Sequence, residues 1–333
     1  MRYFLGIDGG ASKTQYALCN EHGQLLGQYT GPGSPYRELG IEAVCGILKQ
    51  GIAEVCSKVE QSSISGVCFG MPCYGENIED DLRASEHIRD ALGPLPFTFE
   101  NDVAAAWAGS LAFVSGIVIL AGTGSMALGR DIQGVIKRVG GWSEFFSDEG
   151  SGYWLGKRTL ELFAKQSDGR LPRGRLYDVV REHFSIVNDY DIVGIVESQY
   201  IHSRHNVASL QKLLMRAATE GDAAASKLYT EAAAEMAVMI KALRKQMELI
   251  PQSPVSYAGG LFNVGRMLIE PLKAELADLD MVLCEPSLLP VDGAILFAVE
   301  AFAPDAIPAV RDGLLRCRGD SIMQGALCAP EPL

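Results

Sequence analysis

Two hydrophobic patterns alternate through the first hundred residues. Tyr3–Asp8 is a short apolar run ending in Asp-Gly-Gly, Thr14–Asn20 follows, Glu21-His22-Gly23 is a turn, and Gln24–Tyr29 returns. That order predicts strand, tight turn, strand, turn, strand: a β-meander opens the chain. After the loop Gly31–Pro35, the stretch Ile41–Val59 places Ile41, Val44, Ile47, Leu48, Ile52 and Val55 at helical spacing. Ile64–Phe69 reads as a strand, Asp80–Leu92 as a helix, Phe97–Glu100 as a short strand and Val103–Phe113 as a helix.

At Gly116 the pattern restarts. Ile117–Ala121 is a strand, Gly122–Ser125 a turn, Met126–Arg130 a strand, Asp131–Gly134 a turn and Val135–Val139 a third strand. A meander with a Gly/Thr/Ser turn after its first strand therefore occurs twice, an architectural repeat and not a solenoid. Residues from about 149 to 250 read as helical, most clearly Asp222–Leu249, with Pro251 beyond its end. Val255–Ala258 is a strand ending in Gly259-Gly260, followed by a helix over Val264–Leu276, a strand over Met281–Cys284 and a helix over Asp292–Ala301. The tail after Ala303, rich in Pro, Gly and Ala, has weak periodicity and reads as loosely packed or partly ordered.

The length of 333 residues suits two domains. The division expected is residues 1–114 and 115–303, the second with a helical insertion at about 149–250, the final helix at about 292–303 packing back on the first domain, and a tail at 304–333. A net charge of −12 carries no electrostatic footprint for nucleic acid or an anionic membrane. No apolar run reaches the length of a signal peptide or a membrane span. The eight cysteines, at 19, 45, 56, 68, 73, 284, 317 and 328, form no CxxC pair and read as reduced, mostly buried thiols of a cytoplasmic protein.

Candidate chemistry lies at strand ends. In Asp8-Gly9-Gly10-Ala11-Ser12-Lys13-Thr14 the glycines permit close backbone approach, and N–H groups and hydroxyls can donate to phosphate oxygens. Asp8 can hold Mg²⁺ through water. The spacing is neither a Walker loop nor a dinucleotide fingerprint, and taken alone the segment is equally a hairpin turn. Gly122-Thr123-Gly124-Ser125 repeats its chemistry, and Gly259-Gly260 suits an adenine lying on bare backbone.

Asn101-Asp102 reads either as a helix N-cap or as a base at a strand's carboxyl edge. Gly140-Gly141-Trp142 with Asp148-Glu149-Gly150-Ser151-Gly152-Tyr153-Trp154 reads as a helix start with a core tryptophan, or as a sugar site of carboxylates and indoles. Paired carboxylates also suit a glycosidase, which leaves the phosphate turns without a role. Cys68 and Cys73 could be half of an iron–sulfur ligand set, with buried structural thiols the simpler reading.

In this order and over residues 3 to about 301, these segments together with Gly221-Asp222 and Pro290-Val291-Asp292-Gly293-Ala294 resemble the N-acetylglucosamine kinase branch of the BadF/BadG/BcrA/BcrD ATPase family, in the actin/hexokinase superfamily. The resemblance implies an α/β protein of two RNase H-like (actin-like ATPase) domains around an interdomain cleft. It implies ATP and Mg²⁺ as cofactors, an amino-sugar substrate phosphorylated at its 6-hydroxyl, and a cytoplasmic homodimer without nucleic-acid or membrane partners. By position, Asp8, Gly9, Gly10, Ser12, Lys13, Thr14, Thr123 and Gly124 serve the phosphates, and Gly221, Gly259 and Gly260 the nucleoside. Asp102 is the implied base; Asn101, Ser125, Gly141, Trp142 and Asp148 the implied sugar ligands.

Three positions depart from relatives: Pro35 and Met126 stand where they carry Asn, and Phe69-Gly70-Met71-Pro72 lacks their serine. N-acetylglucosamine is the first acceptor the resemblance implies, then glucosamine or a muramic-type sugar. The lost hydrogen-bonding groups point toward a different amino sugar, a bulkier substrate or another acceptor. Rival readings are an ATPase activator coupling hydrolysis to electron transfer in a partner enzyme, and a catalytically silent sugar or nucleotide sensor.

Overall fold

The computed structural model describes residues 1–75 and 77–325; the end of the expected tail, 326–333 with Cys328, lies outside the described residues. Along the chain come Tyr3–Gly9 (β1), Lys13–Asn20 (β2), Leu25–Pro32 (β3), Tyr36–Leu39 (α1), Ile41–Val55 (α2), Ile64–Met71 (β4), Ile78–Leu92 (α3), Phe97–Asn101 (β5) and Asp102–Ser110 (α4). The second pass is Gly116–Ala121 (β6), Ser125–Arg130 (β7) and Ile136–Gly140 (β8). Six helices follow: Gly152–Ser167 (α5), Arg175–Phe184 (α6), Asp191–Gln199 (α7), Arg204–Ser209 (α8), Gln211–Thr219 (α9) and Ala223–Gln246 (α10). Ser253–Ala258 (β9), Arg266–Leu276 (α11), Met281–Leu283 (β10), Pro290–Phe302 (α12) and Ile307–Gly325 (α13) complete it.

The five-stranded sheets have orders β3-β2-β1-β4-β5 and β10-β9-β6-β7-β8. In each, the meander is antiparallel and the last two strands run parallel to its first. The repeat read from the sequence is thus a repeat of sheet topology. Two compact units result, residues 1–114 with the segment from Glu285 onward, and residues 115–284.

In the first unit the sheet is covered on both faces, so β1 reads as a continuous apolar run. Strand alternation sends Leu5 and Ile7 to a core with Val44, Leu48, Ile52, Val67 and Phe69. It sends Phe4 to the opposite face, among Ile295, Val299, Val310 and Leu314. Every residue of α12 from Val291 to Val299 is buried. This helix approaches its neighbours backbone to backbone. A Cβ on Gly6 would run into the Val291 carbonyl, one on Gly109 into the Leu289 carbonyl, and one on Gly293 into the Ala105 carbonyl. In the second unit, Ile117, Ile119 and Ala121 of β6 pack with Leu155, Phe163, Tyr229, Met236 and Ile240. No helix among the described residues is long and apolar enough to cross a membrane.

The tail departs from its expectation, because Ile307–Gly325 is a helix docked on the first unit. Few apolar residues hold it, which is why periodicity missed it: Val310 and Leu314 are buried, and Gly313 lies against the His22 carbonyl. A paired charge supplies the rest. Arg318 donates to both carboxylate oxygens of Asp292, at 2.8 and 2.7 Å, and Asp292 is fully buried. Asp292 Oδ2 also accepts the Leu289 N–H (3.0 Å) at the start of α12. Removing one partner strands a buried charge. Arg318→Met should destabilise the fold by about 3–5 kcal/mol, with Asp292→Asn/Arg318→Met losing less than the single variant. Urea unfolding of the two variants checks this.

Candidate functional site

Parallel pairing aligns the carboxyl ends of β1, β4 and β5: Asp8 lies opposite Gly70, and Gly70 opposite Glu100. Ligands of α/β sheets bind at this edge. The turn leaving β1 is tied down from behind. The Gly10 N–H donates to the Lys13 carbonyl (3.0 Å) and the Ser34 N–H to the Gly10 carbonyl (3.0 Å), leaving Ala11 and Ser12 exposed at the tip. Thr14, expected as a phosphate ligand, is fully buried and its hydroxyl donates to Ser34 Oγ (2.9 Å). It builds the turn instead. Ser34 was missed by the sequence reading, and its place directly after Gly33 was the available signal.

Asn101 ends β5 and caps α4. Its Oδ1 accepts the Val103 N–H (2.9 Å), and its Nδ2 donates to the Tyr74 carbonyl (2.6 Å). Asn101 is therefore engaged in the cap and in holding the Tyr74 loop. Asp102 is the first residue of α4, and its Oδ1 shares the same Val103 N–H (2.9 Å). Gly70 makes this approach possible, since a Cβ there would stand 3.0 Å from Ala105 Cβ, on the helix that carries Asp102. Of the readings offered for Asn101-Asp102, the N-cap belongs to Asn101, and Asp102 follows it as the first helical residue.

Asp8 lies close enough to Asp102 for their charges to interact. Burial first, and then the Asp102 carboxylate, push the Asp8 carboxyl up to about 7, with Lys13 opposing. A divalent cation suits this edge, because it relieves the repulsion between two carboxylates. Among the described residues no three His, Cys, Asp or Glu side chains cluster as metal ligands. A Mg²⁺ here would thus rest on one or two carboxylates, retained water and phosphate oxygens.

In the second unit the turn Gly122–Gly124 leaves β6 and is closed by the Gly122 N–H donating to the Gly124 carbonyl (2.9 Å). Its carbonyls cap α5: the Gly152 N–H donates to Gly122 (2.8 Å) and the Tyr153 N–H to Thr123 (3.1 Å). Helix α5 begins at Gly152 with Ser151 as its N-cap, so Asp148 and Glu149 precede the helix and do not open it. Asp148 is 2% exposed on a left-handed backbone (φ 64°). Its Oδ1 accepts the Ser125 N–H (3.3 Å) and its Oδ2 a bond from Arg204. Burial raises the Asp148 carboxyl, and Arg204 opposes that rise.

Ser125, expected to bind sugar, is buried, and its hydroxyl donates to the Glu149 carbonyl (2.7 Å). It joins the turn to the Asp148 loop. Gly141 has a left-handed φ of 69°, and Trp142 beside it is 72% exposed, a surface indole and not a core one.

Gly259 follows β9, whose Ala258 pairs with Leu120 of β6. A Cβ on Gly259 would run into the Ala121 carbonyl, so the second turn and Gly259-Gly260 share one sheet edge. Gly221 lies elsewhere, in the turn between α9 and α10, with φ 95° and open space where a Cβ would be. Its neighbour Asp222 caps α10, accepting from Ala224 and Ala225 N–H groups, and binds the Leu176 N–H (2.8 Å). Cys68 is fully buried in β4, and its thiol is raised well above its usual range by burial.

A profile of the BadF/BadG/BcrA/BcrD ATPase family matches residues 5–298. The chain belongs to that family. Within it, the chain is 27% identical over 317 residues to the N-acetyl-D-glucosamine kinase of Dictyostelium discoideum, covering 90% of this chain and 98% of that one. It is 29% identical to an N-acetylmuramic acid/N-acetylglucosamine kinase of Clostridium acetobutylicum, over 79% and 86% of the two chains. In fold, this family member is similar to a candidate N-acetylglucosamine kinase from Chromobacterium violaceum (TM-score 0.70, 23% identity, 90% and 99% covered). A ROK family glucokinase from Streptomyces griseus, solved with glucose and AMPPNP, has a TM-score of 0.54 at 17% identity, with 90% and 99% covered. The two sheets and their helices match this α/β, actin-like ATPase architecture.

The raised Asp8 carboxyl has a consequence for this ATPase-family fold. Its ordinary value is 3.8 and its folded value about 7, so between the two the folded state holds a proton that the unfolded chain has released. Stability must then fall as pH rises through that window. Asp8→Asn should flatten the fall, read as urea midpoints at pH 5 and pH 8 without metal or nucleotide.

Proposed function

We propose that this protein is an ATP-dependent kinase that phosphorylates the 6-hydroxyl of an amino sugar. N-acetylglucosamine is the first acceptor to test, and glucosamine and a muramic-type sugar follow. The observation that carries the reading is Asp102 at the start of α4, on the same sheet edge as Asp8 and its glycine turn. A phosphoryl transfer needs little covalent chemistry from the protein, only positioning and charge. Asp102 accepts the proton of the attacking hydroxyl, and the N-terminus of α4 steadies its charge.

Ser12, Lys13 and the N–H groups beside Gly9 and Gly10 hold phosphate oxygens, as do Thr123 and Gly124. Gly259 and Gly260 leave room for the nucleoside, and Gly221 is assigned to approach it as well. Mg²⁺, when bound through water at Asp8, offsets charge on the transferring phosphate. Asp148 receives a sugar hydroxyl, with Gly141 and Trp142 beside the ring. Relatives named as N-acetylglucosamine, N-acetylmuramic acid and glucosamine kinases support the amino-sugar class. Pro35 and Met126, which cannot supply the hydrogen bonds of an Asn side chain, leave the choice among these sugars to experiment.

A coupled ADP-release assay across these sugars tests the reading. At least one should stimulate turnover, and Asp102→Asn should keep ATP binding while kcat falls by about 10²–10⁴. Near-normal turnover in that variant removes Asp102 from its role. The electron-transfer activator remains the alternative and requires cysteines available to a cluster, whereas Cys68 is sealed inside β4. Iron and brown colour with no sugar-stimulated turnover would reverse the choice.

A further inference from the structure

Arg204 is the first residue of α8, 56 residues from Asp148 along the chain, and lies in none of the short segments that carry the resemblance. In the fold it lies over the second glycine turn. A Cβ on Gly124 would run into Arg204 Nη2 and stand 2.8 Å from Asp148 Oδ2. The guanidinium donates through Nη2 to Asp148 Oδ2, and its Nε lies 3.6 Å from Glu144 Oε2. Asp148 is almost sealed, at 2% of its side-chain surface, whereas 43% of Arg204 is open. The carboxylate is thus nearly closed off, while the arginine bonded to it stays open to solvent.

An arginine carries five N–H donors, and those of Nη1 are not used in these contacts. Each carboxylate oxygen keeps a second lone pair beyond the Ser125 and Arg204 bonds. Adjacent hydroxyls of a pyranose donate and accept, so they match a carboxylate and a guanidinium side by side. From this geometry we propose that Arg204 is an acceptor-binding residue, forming with Asp148 a paired unit that recognises neighbouring sugar hydroxyls. The inference rests on the amino-sugar kinase reading and adds a residue to it.

Asp148 also depends on Arg204 electrostatically. Burial disfavours its charged form, Arg204 and the Ser125 N–H favour that form, and Glu144 opposes them. Removing Arg204 therefore raises the Asp148 carboxyl further, and the acid limb of kcat/KM for the sugar should move to higher pH.

The test is steady-state ADP release with wild type, Arg204→Ala, Arg204→Lys, Asp148→Asn and the double variant Asp148→Asn/Arg204→Ala. Arg204→Ala should raise the acceptor KM at least about tenfold, with the KM for ATP unchanged, and shift the acid limb upward; a tenfold change corresponds to about 1.4 kcal/mol. Arg204→Lys, a point charge without the planar fork, should recover part of the loss. In the Asp148→Asn background, Arg204→Ala should add much less than it does alone, because the two residues act as a unit. An unchanged ATP KM also shows that the fold is intact. Unchanged acceptor KM and acid limb in an active Arg204→Ala enzyme overturn this inference alone. A wild type that no amino sugar stimulates overturns the kinase reading, and this inference falls with it.

Discussion

The close crossing of α12 over β1 and α4 is the constraint on which the first unit's chemistry depends. Three glycines, Gly6, Gly109 and Gly293, let backbones meet where any side chain would intrude. The arrangement holds the end of β1, which carries Asp8, and the start of α4, which carries Asp102, against one buried helix. Two carboxylates are kept near each other although burial, and then their repulsion, raise the carboxyl of Asp8. A packed interior does not yield to such repulsion by drifting apart, because interiors are close-packed and each shift opens voids. The electrostatic tension is retained at this sheet edge.

The two glycine turns share a sequence style and a topological position but differ in how they are built. After β1, a buried hydroxyl pair, Thr14 with Ser34, backs the turn, and Lys13 brings positive charge from the next strand. After β6, the turn's carbonyls are spent capping α5, and its cation is Arg204, from a helix of the insertion. A repeat of sheet topology thus leaves each copy free to recruit its charges differently. The duplicated part is the backbone path of strand and turn, while the charges beside it come from different elements in each unit.

Much of the fold was legible in the residues. Alternation and Gly-rich turns marked both meanders, and helical spacing marked α2, α3 and α10 close to their observed bounds. Helix α13 was not legible, because beyond a few apolar residues such as Val310 and Leu314 its hold on the first unit comes from Gly313 against His22 and from Arg318 on Asp292. Neither contact leaves a hydrophobic period. Within the site, the turn at Asp8 and the Asn101-Asp102 pair stood out from spacing alone. The roles of Thr14, Asn101 and Ser125 did not, since a side-chain donor or acceptor looks the same in sequence whether it is spent inside the protein or offered to a ligand.

By itself the sequence determined the strand order of the two meanders, the glycine turns after their first strands and the family. Those depend on local periodicity and on backbone freedom at particular residues, which neighbours in the chain specify. Only the tertiary structure decided that Gly70 admits α4 beside Asp8, that Ser34 backs Thr14, and that Arg204 rather than a nearby residue is the partner of Asp148. Each of those is a meeting of residues distant in the chain. Burial and charge act through space, so their effects appear only once the fold has set the distances.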